Sequence, residues 1–255
     1  MKQEEYPILE FDAASRALIE PSEQIEPIDA PQRCVLCFFR EVIEDLREDD
    51  GLRQIECLHS EMGEHPLYEA DMGGRRLAIF QPAVTSAFAA AFLDELIALG
   101  CRKFIACGSA GVLRPEIAPG TPIIVTAAVR DEGASYHYLP PSREVESSPE
   151  AVAAIERVLT EQGLRYLTGK TWTTDGFYRE TRDKVELRRR EGCLTVEMEA
   201  AGFLAVARFR NVVFGQILYA GDDVSGEVWD RRRWKDRTEI RGDLFGLAAA
   251  ACLLL

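Results

Sequence analysis

The chain of 255 residues is short of the features that would place it in a bilayer, on nucleic acid or around a metal. No apolar run reaches the ~18 residues needed to cross a membrane. The apolar tail, 244–255, is too short and reads as a packed terminal helix. Positive charge is scarce: 30 Lys and Arg stand against 43 Asp and Glu, a net charge of −13. That argues against nucleic acid as a partner, because phosphate backbones need a basic surface. A small anion could still be held by a local group of arginines. There are only three histidines, and the seven cysteines are scattered. Cys34 and Cys37 form one Cys-x-x-Cys inside the apolar run 34–39, with no second pair and no neighbouring histidine. The pattern predicts core thiols rather than a zinc site. The acidic first residues carry no apolar signal core, so a cytoplasmic location is expected. Repeats and low-complexity segments are absent.

What remains is a regular alternation. Residues 1–32 are acidic and contain prolines, and they predict an extended arm over a domain spanning 33–255. Strand-like runs fall at 33–39, 75–80, 103–107, 122–129, 166–173, 194–196 and 212–219. Helical periodicity falls at 41–48, 85–98, 149–163, 198–209 and 237–254. Phe88, Phe92, Leu93, Leu96 and Leu99 mark one helix face, and Gly100 ends that helix. Strands alternating with helices predict an α/β fold, a three-layer αβα domain with a central parallel or mixed sheet. Ligands in such domains lie at the carboxyl ends of strands.

Four strand ends carry residues that a core does not need. Gly108-Ser109-Ala110-Gly111 is a small-residue turn whose free amides could hold an anion, or simply a tight turn. Glu197-Met198-Glu199 sits between an apolar strand and a helix of small residues. Its acids could cap the helix; partly buried, they could also accept hydrogen bonds from sugar hydroxyls, beside an adaptable methionine surface. Gly221-Asp222-Asp223-Val224-Ser225-Gly226 reads as a turn or as the seat of a proton-donating acid. Thr173-Thr174-Asp175-Gly176-Phe177-Tyr178 places aromatic rings where they could stack on a planar base or pack in the core.

In their order along the chain, from about Gly73 to Gly226, the segments resemble the nucleoside phosphorylase family. That family includes purine and uridine phosphorylases and related hydrolases. The most specific match is Val196-Glu197-Met198-Glu199-Ala200. Ala127-Ala128-Val129-Arg130 with Gly133-Ala134-Ser135 is similar to the uridine branch, and Cys107 to Gly111 to the hydrolase branch. The resemblance implies a mixed sheet sandwiched by helices and a pentosyltransferase that cleaves a ribosyl C–N bond. Phosphate attacks in most members and water in some. It implies that Met198 and Glu199 hold ribose with Glu197 beside them, that Phe177 packs on the base, and that Asp223 protonates N7 of a purine. Buried carboxylates would stabilise the cation-like sugar of the transition state. Inorganic phosphate is the implied co-substrate, with no metal or organic cofactor, and a homo-oligomer (dimer, trimer or hexamer) is the implied assembly.

The departures from the family concern phosphate. Phosphorylases carry Gly-Asp-Pro-x-Arg after the first strand; here Phe38-Phe39 runs straight into Arg40. Arg40, with Gly108 and Ser109, is the candidate phosphate contact, and Arg130 a further candidate for an anion. An arginine before the small-residue turn is replaced by Phe104, and the neighbour-supplied arginine falls at Gly63 or Glu64. A glycine-rich turn is replaced by Gln81-Pro82-Ala83-Val84-Thr85. Thr181 and Asp183 stand where the uridine branch reads uracil, and Asp223 favours a purine-type base. The sequence therefore predicts phosphorolysis of a purine-type nucleoside. Hydrolysis by water, or nucleoside binding without turnover, is the alternative.

Overall fold

A computed structural model describes residues 3–234 and 238–255. The chain opens with a 3-10 turn (Pro7–Leu9) and α1 (Pro21–Gln24), then enters β1 (Arg33–Cys37), α2 (Arg40–Glu48) and a hairpin of β2 (Arg53–Ser60) and β3 (Gly63–Asp71). Next come β4 (Arg76–Phe80), α3 (Ser86–Leu99), β5 (Lys103–Val112), β6 (Pro122–Asp131), α4 (Ser135–Tyr138) and β7 (Glu144–Glu146). They are followed by α5 (Pro149–Glu161), β8 (Leu167–Thr174), a 3-10 turn (Phe177–Arg179) and α6 (Arg182–Arg190). The chain ends with β9 (Cys193–Glu197), α7 (Ala200–Phe209), β10 (Val213–Asp223) and α8 (Thr238–Leu254).

The sheet runs β10-β6-β8-β9-β5-β1-β4-β3-β2, and β10 also pairs with β5. That extra pairing closes β5, β10, β6, β8 and β9 into a ring, with β1 to β4 extending from β5 as an open wing. β5 is parallel to β1 and β10 but antiparallel to β9, so the sheet is mixed, as expected. Period-two alternation separates two cores. Val35 and Cys37 pack with α2, α5 and α8 on one face, whereas Cys34 and Leu36 pack with α3 and α7 on the other. The Cys34–Cys37 pair is thus core, and all seven cysteines are free thiols. Among the described residues, no helix is long and apolar enough to span a membrane.

Three expectations change. Gly108 to Gly111 is no turn, because β5 runs through it to Val112. Its small residues serve close approach: a Cβ on Gly108 would stand 3.3 Å from Phe38 Cδ2, and one on Gly111 3.1 Å from Val196 Cγ1. Gly221 to Asp223 likewise belongs to β10, with a register shift between Ala220 and Asp223. The helix expected from 198 begins at Ala200, because Met198 and Glu199 form the bend that enters it. Beyond these, the β2–β3 hairpin, α4, β7 and α6 are elements that periodicity did not reveal. The arm lies along α3: Ile28 donates its N–H to the Leu99 carbonyl at 3.2 Å, and Ile25 and Ile28 pack on the α3–α7 core. Position 237, the expected start of the last helix, lies outside the described residues.

Candidate functional site

Buried acids meet where β9 turns into α7. A helix start leaves its first N–H groups without intrahelical partners. Here Glu197 Oε2 accepts from the N–H groups of Glu199 at 2.8 Å and Ala200 at 2.7 Å. Its Oε1 accepts from the Thr173 hydroxyl at 2.6 Å, and Thr173 Oγ1 in turn accepts from the Ala201 N–H at 3.0 Å. Glu197 therefore ties β8 to α7 as a cap. Glu199 is held from the other side: its Oε1 accepts from the Thr85 N–H at 2.7 Å. Ser86 donates its hydroxyl to the Met198 carbonyl at 2.9 Å. Thr85 adopts φ of +88°, a conformation strained for a β-branched residue. Gly202 permits this closeness, since a Cβ there would stand 3.1 Å from the Ser86 carbonyl oxygen.

Both acids are nearly inaccessible, Glu197 at 7% and Glu199 at 6% exposure. Burial pushes both pKa values up, most of all by desolvation; the charge of Glu132 adds to this at Glu197, and those of Glu197 and Asp175 add at Glu199. Asp175 Oδ2 accepts from the Gly133 N–H at 2.9 Å, and Glu132 accepts from the Ser135 N–H at 3.0 Å and the Ser135 hydroxyl. Four carboxylates thus gather at these strand ends. Beyond the backbone of Thr85 and Met198, the Glu199 carboxyl keeps acceptor capacity for a hydroxylated ligand.

The remaining candidates divide. Phe177 stays half-exposed, its ring centroid 4.0 Å from that of Tyr178. Asp223 is closed off: its Oδ1 accepts from the Ser225 N–H at 2.7 Å, and its Oδ2 pairs with Arg232, which also donates to the Ile117 carbonyl. Its neighbour Asp222 lies against Gly111, accepts from the Trp229 indole N–H at 2.6 Å, and has its pKa raised by burial. Glu180, which no motif singled out, is lifted to about 7 by burial and then by the charge of Asp222.

Arg40 does not join the acids. It is exposed and pairs with Glu44 at 2.6 Å, in a cleft of about 700 Å³ shared with Arg47, His65, Tyr68 and Val84. Gly108 is covered by Phe38, and Ser109 lies in β5 opposite Tyr219. The free edge of β5 between the last β1 pairing, at Cys107, and the first β9 pairing, at Gly111, is where its backbone could still meet a ligand. Arg130 is buried and spent on Ser135, Ser142 and the carbonyls of Leu139 and Pro140. Phe104 stacks on Phe214 inside the core. Among the described residues, no three His, Cys, Asp or Glu side chains are grouped to hold a metal ion.

Fold and site together define a three-layer protein with a cluster of buried carboxylates at its strand ends. The chain belongs to the phosphorylase superfamily, whose family model matches residues 32–252. It is 28% identical over 158 residues to the guanosine phosphorylase of Halorubrum lacusprofundi, covering 60% of this chain and 64% of that enzyme. It is 24% identical over 168 residues to the uridine phosphorylase of Escherichia coli, covering 60% and 66%. These matches span just under two thirds of each relative's length. Among solved structures, the AMP nucleosidase of Bacteroides thetaiotaomicron superposes with a TM-score of 0.72 at 23% identity, covering 91% of both chains. That likeness is one of fold.

Proposed function

We propose that the chain cleaves the ribosyl C–N bond of a nucleoside and transfers the sugar to inorganic phosphate. The observation that carries this reading is the buried pair Glu197 and Glu199, one carboxylate capping α7 and the other keeping acceptor capacity at the strand ends. As the bond between C1′ and the base nitrogen breaks, its electrons leave with the base and the sugar becomes cation-like. Fixed carboxylates in a water-poor site stabilise that charge. Glu199 and Met198 hold the ribose, and Phe177 packs on the base. A purine base leaves more readily when N7 receives a proton. We assign that donation to Asp222 rather than Asp223, because Asp223 is occupied by Arg232 and Ser225 while burial favours the protonated form of Asp222. The guanosine phosphorylase relative supports a purine-type base. No metal or organic cofactor is required by this chemistry. A homo-oligomeric assembly belongs to the same reading, and light scattering in solution tests it.

A second reading, transfer to water, rests on Phe38. Its ring covers Gly108, and Arg40, a candidate cation, is turned to Glu44. The deciding experiment is a panel of purine and pyrimidine nucleosides assayed with and without phosphate. Base release that requires phosphate supports phosphorolysis, and equal release without it selects hydrolysis. If no nucleoside in the panel is cleaved, the catalytic reading fails.

A further inference from the structure

The segments following Phe177 and Asp223 face each other across a cleft of about 180 Å³, with Glu180 on one wall and Val224, Ser225, Gly226 and Trp229 on the other. Arg182 and Glu227 approach to 3.6 Å and link the two sides. Two polar groups here lack what a folded chain normally supplies. Ser225 Oγ is buried without a hydrogen-bond partner. Glu180 forms no hydrogen bond or ion pair among the described residues, although it is partly desolvated beside the acidic Asp222. Unsatisfied polar groups of this kind are costly, and in native proteins they call for a partner. Two rings keep exposed surface: Phe177, three residues before Glu180 and packed on Tyr178, is 51% exposed, and Trp229, its indole N–H on Asp222 and Arg231 over its ring, is 52% exposed. The missing partner is therefore flat, and it carries N–H donors for a carboxylate.

We infer that Glu180 is the base-reading residue of this site, its carboxylate accepting from the adjacent ring N–H and exocyclic amino group of a 2-amino-6-oxopurine. This rests on the nucleoside-cleaving reading above. The alternatives match less well. A 6-oxopurine without the amino group offers one donor. A 6-aminopurine places an acceptor beside its amino group. Uracil flanks its single N–H with two carbonyl oxygens, which a carboxylate repels. Buried polar groups left unpaired by the wrong ligand are what make such selection steep.

The test compares guanosine, inosine, adenosine and uridine on wild type and Glu180→Gln. It measures binding by tryptophan fluorescence in phosphate-free buffer, and kcat/KM separately. Wild type is expected to bind guanosine about tenfold or more tightly than inosine, as a charge-assisted hydrogen bond implies. In Glu180→Gln that preference collapses to within about twofold, while inosine binding changes little. Only the ionised carboxyl accepts from two donors, so the wild-type preference grows as pH rises through about 7. The charges facing Glu180 are Asp222 on β10, Arg182, Glu186 and Arg189 on α6, and Glu227. The variant retains all of them and should show a flat profile. An unchanged guanosine-to-inosine ratio in the variant overturns the inference, even if the enzyme turns over normally. Binding that shifts as expected without any cleavage keeps the inference and removes the catalytic reading. Failure of wild type to bind any of the four overturns both.

Discussion

Replacing Glu199 by glutamine should weaken the enzyme and strengthen the fold. The side chain is 6% exposed, and its carboxyl is disfavoured in the charged form by burial and by Glu197. Glutamine keeps an amide oxygen for the Thr85 N–H, so the hydrogen bond at 2.7 Å has a neutral replacement. What disappears is a buried like charge, and removing it should stabilise by about 1 kcal/mol or more, roughly 2–4 °C in Tm for a chain of this size. The sign can be checked against pH. A carboxyl whose folded pKa lies above its ordinary value of 4.5 leaves the native state holding more protons than the unfolded state between the two values. Stability attached to it is fully present below the ordinary value and is lost as pH rises through the folded value. The Tm advantage of the variant should therefore be small near pH 5 and widen towards pH 8. Activity should move the opposite way. Losing one charge-assisted bond to a ribose hydroxyl, and part of the field that favours a cation-like sugar, costs roughly 100-fold in kcat/KM. Differential scanning calorimetry across pH, alongside initial rates on guanosine, measures both. A variant that is less stable and less active together would make Glu199 a structural residue and refute the reasoning, and so would unchanged activity.

Two further perturbations separate groups that stand side by side. Asp222→Asn should lower kcat for purine nucleosides by roughly 100-fold or more with the fold intact, whereas Asp223→Asn should lose about 1–3 kcal/mol of stability by breaking the nearly buried pair with Arg232; rates and melting curves that place both effects on the same aspartate would reverse the assignment. Gly202→Ala puts a Cβ 3.1 Å from the Ser86 carbonyl oxygen and must push α7 from the Thr85–Ser86 turn. A stability loss of about 1–3 kcal/mol and a roughly tenfold fall in kcat/KM are expected, and wild-type rates would show that the turn does not position Glu199.

The alternation of apolar runs made the central strands and the long helices legible, because burial on both faces forces near-continuous hydrophobic stretches. The β2–β3 hairpin was not legible. It lies at the open edge of the sheet, where His59, Glu64 and Glu69 interrupt any clean period. The Glu197-Met198-Glu199 segment announced itself as two acids in an apolar frame. Its partners did not: Thr85 contributes a backbone N–H whose direction depends on a left-handed φ, and Thr173 contributes a hydroxyl that ordinary strands carry anywhere. Small residues were legible as close approach but not as to what approaches, so Gly108 read as a turn for an anion when its neighbour is the ring of Phe38. Asp222 and Asp223 are adjacent in sequence, and only the register shift in β10 and the return of Arg232 show which one is paired with a cation.

The same carboxylates that suit a cation-like sugar oppose an anion placed next to it. Phosphate would bring negative charge towards strand ends where Glu132, Asp175, Glu197 and Glu199 lie together, while Arg130 is spent on its own loop and Arg40 stands outside. Two features soften that conflict. Burial raises the pKa values of Glu197 and Glu199, which lowers the negative charge they present near neutrality. The free β5 edge beyond Cys107 offers backbone N–H dipoles without bringing in a further side-chain charge. Water meets no such opposition, because it is neutral on approach and needs only a group to take its proton. On the proposed reading the choice of acceptor thus turns on the protonation of these acids, and the glutamate segment proposed to bind the ribose would also govern what can attack it.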